Sequence, residues 1–281
     1  MQKTLKRYFP IFVVPTLIAF AFAFVIPFIE GVYLSFCKFT TVKNAEWIGL
    51  DNYVTALSQG EGFGHSFWVT AAFTVISVIT VNVFAFCIAL LLTRKLRGTN
   101  FFRTVFFLPN LIGGIVLGYT WQQMIDAILY KHGVTIVSDF KYGFIGLIIL
   151  MNWQMVGYMM IIYIAGLQNI PTELIEAAKI DGATSMQTLF KVKIPMVMPS
   201  ITICIFLTLS NSFKLFDQNL SLTAGAPLHE TEMLALNIYR TFYGRVGYEG
   251  VGQAKAVMFF IIVTAIAVIQ LLATRSKEVE Q

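Results

Sequence analysis

Between residues 210 and 221 the chain reads SNSFKLFDQNLS, which sets Asn211, Lys214 and Asp217 into an otherwise apolar run, with Gln218 one helical turn beyond Lys214. Spacings of three and four residues put such side chains on one face of a helix. A cation, an anion and amides on a shared face, beside the rings of Phe213 and Phe216, suit a polyhydroxylated ligand. Ionisable residues inside an apolar segment are costly and mark sites by default. Two plainer readings stay open: an internal Lys214–Asp217 ion pair, and snorkelling of the lysine towards the outer interface. Asn82 and Gln122 are further polar residues within apolar runs, and interhelical hydrogen bonding is their simpler explanation. Bond-making chemistry has no such constellation. No H-E-x-x-H and no serine–histidine pair lies within the apolar runs, and His65, His132 and His229 fall in connecting segments. Cys37, Cys87 and Cys204 stand singly and far apart, so they read as packing residues, with neither a disulfide framework nor a metal set.

The elements that must carry this cluster are membrane helices. Hydrophobic residues make up 57% of the 281 and charged ones 12%, about half the roughly 25% charged of a soluble domain. Charge-free runs extend from Arg7 to Glu30, His65 to Arg94, Arg103 to Asp126, Lys141 to Glu173, Lys193 to Lys214 and Lys255 to Arg275. Each is long enough to cross about 30 Å of hydrocarbon as a helix, so six spans are expected. The first lacks a small-residue cleavage pattern and reads as a retained span. Twelve of the 20 lysines and arginines fall on one set of connecting segments and seven on the other. That bias predicts cytoplasmic N- and C-termini. The basic residues sit at span ends, where they anchor topology, and form no surface suited to nucleic acid. Gly114 and Gly118 have the small-residue spacing that lets membrane helices approach closely.

The connection between the fourth and fifth runs is different in kind. It reads IPTELIEAAKIDGATSMQTLFKVKIPMVMP over residues 170–199. Pro171 and Glu173 mark a helix start, and Leu174, Ala177 and Ala178 recur at helical spacing. Asp181-Gly182 breaks that helix, since glycine accepts the left-handed backbone common at helix ends. Thr184 and Gln187 have capping-box spacing for a second helix, whose apolar ridge is Met186, Leu189 and Phe190 and which Pro195 ends. One reading is an interfacial hairpin that merely links two spans. A loop of a few residues would serve for that, so a protruding helix shaped for a partner's groove fits better.

EAAKIDGATSMQTLFKVKIPMVMP resembles the EAA loop of the membrane subunits of ATP-binding-cassette importers: Glu-Ala-Ala, Asp-Gly-Ala, then Ile-Pro. WIGLDNY at 47–53, LPNLIGGIVLGYTWQ at 108–122 and LTAGAP at 222–227, with ET and IYRTFY downstream, are similar to the carbohydrate-importing branch of the MalF/UgpA type. The likeness runs over nearly the whole chain. It departs at Ala226, where members usually have glycine, and that leaves the geometry of the outer loop open.

The resemblance implies an all-α, type I ABC importer fold: one permease domain, 1–281, with six transmembrane helices and a cytoplasmic EAA coupling helix-turn-helix at 169–198. In it Glu176 would pair with a basic residue of the ATPase, Ala177 and Ala178 would permit close approach, Asp181 and Gly182 would form the turn, and Ala183 completes the motif. It also implies that the fifth-span cluster Asn211, Phe213, Lys214 and Asp217, together with Asn152, Gln154 and Tyr158 from NWQMVGY at 152–158, lines a sugar cavity. The expected partners are a second homologous permease subunit in a heterodimer, an ATPase dimer, an extracytoplasmic solute-binding protein, a sugar substrate and the bilayer of a bacterial cell membrane. No GxxxxGKS sequence occurs, so the chain is expected to be no enzyme and to bind no cofactor, with ATP and Mg held by the partner ATPase. Lys214 leaves glycerol phosphate or an acidic sugar open as cargo. An ion-gradient carrier fits less well, because it calls for several midplane carboxylates or inverted repeats.

Overall fold

The computed structural model describes residues 2–94 and 97–275. Helix α1 runs as Gln2–Phe20, passes through a wide turn at Ala21–Val25 and resumes as Ile26–Leu34. A two-stranded ribbon, β1 (Cys37–Lys38) and β2 (Glu46–Trp47), leads to α2 (Asp51–Ala56). Then follow α3 (Phe63–Leu92), α4 (Thr99–Phe107), α5 (Gly114–Leu129) and α6 (Phe140–Gln168). The connection after α6 holds α7 (Thr172–Ile180) and α8 (Ser185–Thr188), and α9 (Met198–Phe213) and α10 (Asp217–Leu222) come next. The chain closes with α11 (Leu234–Gly244) and α12 (Glu249–Arg275).

Among the described residues four helices are long and apolar enough to cross a membrane, or six if two bent pairs each make one span. The runs 103–126 and 193–214, each expected to form one helix, are instead bent. Thr99–Leu111 meets Gly114–His132 at 101°, and Ser185–Met196 meets Met198–Phe213 at 70°. The first bend falls where Pro109 lacks an N–H and Gly113 turns extended (φ −60, ψ 139). The second falls at Val197, two residues before Pro199. Pro195, expected to end the second helix of this connection, is the residue before the last of the helical run Ser185–Met196, which stops at Val197. A third departure matters more for function. Helix α9 stops at Phe213, residues 214–216 are unwound, and α10 starts at Asp217, so Asn211, Lys214 and Asp217 do not share one helix face.

Two compact units emerge, residues 1–63 with 238–261, and residues 64–237 with 262–281. In the first, Asn52 Nδ2 donates to the carbonyls of Ser35 and Cys37, each at 2.9 Å, and Phe36 packs against Trp47 and Tyr53. The WIGLDNY stretch is thus a ribbon-to-helix corner. Lys255, fully buried, donates to the Glu61 carbonyl at 3.0 Å and to Thr241 at 2.8 Å, while Arg245 grips both carboxylate oxygens of Glu61.

The second unit is built around α6. Leu147, Leu150, Met151, Met159, Met160 and Tyr163 are buried there with Phe73, Val81, Ala85 and Ala89 of α3. Contacts pair Phe73 with Phe144, Thr80 with Asn152 and Phe86 with Tyr163, so α3 and α6 run parallel. A side chain at Gly157 would collide with the Phe106 carbonyl, so glycine there is what lets the end of α4 lie against α6. Asn82 ties three helices together, accepting from Tyr163 at 2.7 Å and donating to Thr208 at 3.3 Å. Interhelical bonding was the simpler expectation for it.

Candidate functional site

Within the second unit lies a cavity of about 300 Å³, lined by Asn110, Met151, Gln154, Met155, Asn211, Lys214, Leu215, Phe216, Asp217 and Gln218. Its lining draws on both interruptions: Asn110 from the bend between α4 and α5, and Lys214, Leu215 and Phe216 from the unwound link between α9 and α10. Helix α10 sits tightly against α5. A Cβ on Gly114 would approach Asp217 and Gln218, and one on Gly118 would run into Ser221. The small-residue pair thus serves as the seat of α10. From that seat Gln218 Nε2 donates to Gln154 Oε1 at 2.6 Å, and Gln154 Nε2 reaches the Ile112 carbonyl at 3.4 Å. These two amides largely spend themselves on each other. Asn211 Nδ2 is held by the Leu207 carbonyl at 2.8 Å. Lys214 and Asp217 are exposed, and among the described residues neither side chain has a partner. The internal ion pair that periodicity allowed is not formed.

Of the seven residues expected to meet substrate, four line the cavity: Gln154, Asn211, Lys214 and Asp217. The other three do not. Asn152 lies two residues from Gln154, about 200° around the helix, and donates to Thr80 at 2.9 Å. Tyr158 packs edge-on to Phe107. Phe213 is only 3% exposed and packs edge-on to Phe67, so the ring at the cavity is Phe216. Sequence reasoning missed Asn110, Met151, Met155 and Leu215. The methionines were within reach, being three residues before and one after Gln154 on one helix, whereas Asn110 depends on a bend that its Pro109 only hinted at. Gln122 lies apart from the cavity.

A second candidate surface is the connection between α6 and α9. Helix α7 ends at Asp181, the cap position, and Gly182 takes φ +76 while its N–H donates to Lys179 and that of Ala183 to Ala178. Thr184 and Gln187 complete a reciprocal capping box, with Thr184 N donating to Gln187 Oε1 at 2.7 Å. Pro171 occupies the position before the helix rather than its first, because its ψ of 131 is extended. Glu176 and Ala177 are exposed and Ala178 half-buried. Around them Leu174, Ile180, Met186 and Phe190 stand out, Ile180 at 87% exposure. Apolar side chains clustered in the open mark an interaction face.

The two ends of the unit carry different devices. Because α3 and α6 run parallel, the end bearing Leu92 and Gln168 also bears α7 and α8. At the opposite end, His65 contacts the Glu230 carbonyl at 3.0 Å and Leu234 N donates to Thr70 at 2.9 Å. There the LTAGAP loop is pinned by Asn219, which donates to the Thr231 carbonyl and accepts from Met233 N.

Residues 62–278 match the family described as binding-protein-dependent transport system inner membrane component. The chain belongs to this family. This inner membrane component is 46% identical over 278 residues to the probable starch degradation products transport system permease protein AmyD of Thermoanaerobacterium thermosulfurigenes, covering 96% of the present chain and 94% of that one. It is 30% identical to the multiple sugar-binding transport system permease protein MsmF of Streptococcus mutans, over 99% of each. In solved structures it is similar to a chain of a bacterial ABC transporter involved in the import of the acidic polysaccharide alginate, with a TM-score of 0.82 over 98% of both chains at 19% identity. That likeness places it in the all-α fold of ABC importer membrane subunits.

Proposed function

We propose that this component is the permease subunit of an ATP-driven importer, and that it passes a neutral oligosaccharide handed over by an extracytoplasmic binding protein. The observation that carries this reading is the cavity inside the membrane-spanning core, where Lys214, Asp217 and amide side chains line a space floored by Phe216 and methionines. One lysine and one aspartate balance in formal charge. That suits hydroxyl-rich cargo, and the sugar-related names of AmyD and MsmF support it. An acidic sugar or glycerol phosphate is the second reading, favoured by the unpaired ammonium of Lys214.

The exposed face of α7 and α8 docks a partner ATPase in this reading, with Glu176 at the contact and Ala177, Ala178 and Ala183 allowing close approach around the Gly182 turn. ATP and Mg are held by that ATPase dimer, and the chain itself performs no hydrolysis. Its termini and the α7–α8 loop face the cytoplasm, the loop at 222–233 faces outward, and a second, homologous permease completes the pore. The test is ATP hydrolysis by the reconstituted complex with its binding protein, with and without candidate oligosaccharides. Sugar-stimulated hydrolysis that collapses in Glu176→Lys supports the reading. If no ATPase associates, or hydrolysis ignores the substitution, the coupling role is lost and a gradient-driven carrier takes its place.

A further inference from the structure

We propose that the corner made by Trp47 and α2 is an interfacial anchor, seated in the headgroup layer of the bilayer with its outward face against the upper acyl chains. The sequence there is WIGLDNYVTAL at 47–57. Leu50, Val54 and Leu57 recur at spacings of four and three, which is one face of a helix, and they are 64%, 69% and 64% exposed. The opposite side is spent on the protein. Asn52 and Ala56 are buried, and Asn52 holds the carbonyls of Ser35 and Cys37. Gly250 at the start of α12 admits this packing, since a side chain there would run into the Cys37 carbonyl and Asn52. The corner is fixed by these contacts and cannot turn its apolar face inward.

That face continues the surface of a membrane-crossing helix. Ile26, Ile29 and Tyr33 share one side of α1 and are exposed, and none of the most apolar stretch of α1 is buried. Tyr33 ends this stripe. Its ring centroid lies 5.7 Å from that of Trp47, which is itself exposed and stacked on Phe36. An exposed apolar surface thus runs up α1, across two aromatic rings and onto Leu50, Val54 and Leu57.

Depth identifies the occupant as lipid. The apolar run Phe9–Leu34 has 26 residues, about 39 Å as a helix, against about 30 Å of hydrocarbon. Centred in the bilayer, it reaches about 4–5 Å past the hydrocarbon at each end, so Tyr33, and Trp47 beside it, stand at headgroup level. Glu30 agrees with that level. It is exposed, has no partner among the described residues and lies less than one turn below Tyr33, where an ionised carboxylate needs water or headgroups within reach. Tryptophan and tyrosine collect at this boundary because each offers a ring to the apolar side and an N–H or O–H to the wet one. An adjoining short helix with one apolar face is held in the interface by that face. The placement does not depend on what cargo the subunit carries.

The experiment places the photoreactive residue p-benzoylphenylalanine at Val54, at Leu57 or, as a control on the polar flank, at Asp51. The full transport complex with its binding protein is reconstituted in vesicles of phosphatidylethanolamine and phosphatidylglycerol, illuminated and denatured, and the mass of the subunit is measured. All three sites are exposed, so co-elution with the partner subunits should be unchanged. Val54 and Leu57 should carry a phospholipid adduct severalfold more often than Asp51. A covalent link from either site to the second permease or to the binding protein, in place of lipid, overturns the proposal and assigns the face to that protein. No adduct at either site, or as much at Asp51, overturns it as well. A label-free measurement stands beside these: the tryptophan emission lost in Trp47→Phe should be quenched more by lipids brominated near the headgroup than by lipids brominated at the chain ends. Emission indifferent to both would put Trp47 in water or against protein and sink the anchor.

Discussion

Replacing Gly118 by alanine should disable transport without unfolding the protein. A Cβ built there lies 2.8 Å from the Ser221 Cβ and 3.1 Å from the Leu222 backbone nitrogen. Carbon atoms rest at about 3.5–4.0 Å, so α10 must retreat by about 1 Å. Overpacking of this kind costs about 1–3 kcal/mol, which a buried core around α6 can absorb. The cavity is less tolerant. Asp217 and Gln218 ride on α10, and the 2.6 Å bond from Gln218 to Gln154 does not survive a 1 Å shift intact. Misplacement on that scale can cost about 100-fold in a positioned site, so sugar uptake into proteoliposomes should fall about 10- to 100-fold. Basal hydrolysis by the complex should remain near wild type, because α7 and α8 are untouched. Ser221→Gly removes the nearer obstacle and should restore a good part of the uptake in the double variant. Wild-type uptake by Gly118→Ala, or a double variant no better than the single, would refute the reasoning that the glycine pair seats the cavity wall.

Other expectations follow from the same geometry. Lys255→Met leaves Glu61 buried with one partner fewer, and removing one member of a buried pair costs about 3–5 kcal/mol; since Arg245 still holds Glu61, the thermal midpoint of the purified subunit should drop at the lower end of that range, and an unchanged midpoint would argue against a structural ion cluster. Thr184→Ala removes the cap of α8, worth about 0.5–2 kcal/mol, and should weaken ATPase association in a pull-down while sparing sugar binding. Phe216→Leu should raise the sugar concentration needed for half-maximal stimulation of hydrolysis, whereas Phe213→Leu should lower the melting temperature and leave that concentration alone; the reverse pattern would put the ligand on the wrong ring.

What the sequence made legible follows from the length scale of each signal. Hydropathy identified six apolar runs because a bilayer demands about 20 residues at a time, and the turn at Gly182 with the Thr184–Gln187 box was legible because caps are local hydrogen bonds between neighbours. Gly114 and Gly118 were visible as a close-packing pair, but their partner was not, since nothing local links them to Ser221 a hundred residues on. The cavity residues were half legible for the same reason. Gln154 and Asp217 announce themselves as polar groups in apolar runs, yet which side of α6 faces the cavity was decided by where α10 lies, and that separated Gln154 from Asn152. The reading of residues 211–217 as one helix face failed because the helix stops at Phe213. The break then brought Asn211, Lys214 and Asp217 to one cavity by a different route.

That break also decides how the two candidate surfaces are joined. From the capping box at Thr184, the chain runs through Leu189–Lys193 and Ile194–Met196, turns 70° at Val197 and continues as α9 to Phe213. Helix α9 has 16 residues, about 24 Å of rigid rod, with Asn211 and the Lys214–Phe216 link at its far end. It packs closely on α6, where Gly166 leaves room for Ser200 and the Cys204 thiol donates to the Met159 carbonyl at 3.7 Å. Helix α10 is held otherwise, seated on Gly114 and Gly118. On the proposed function, a push on α7 and α8 would be delivered along α9 to one side of the cavity while the side on α10 stays seated on α5, and the unwound residues 214–216 would take up the difference. A continuous fifth helix would have carried both walls together and left the cavity unchanged.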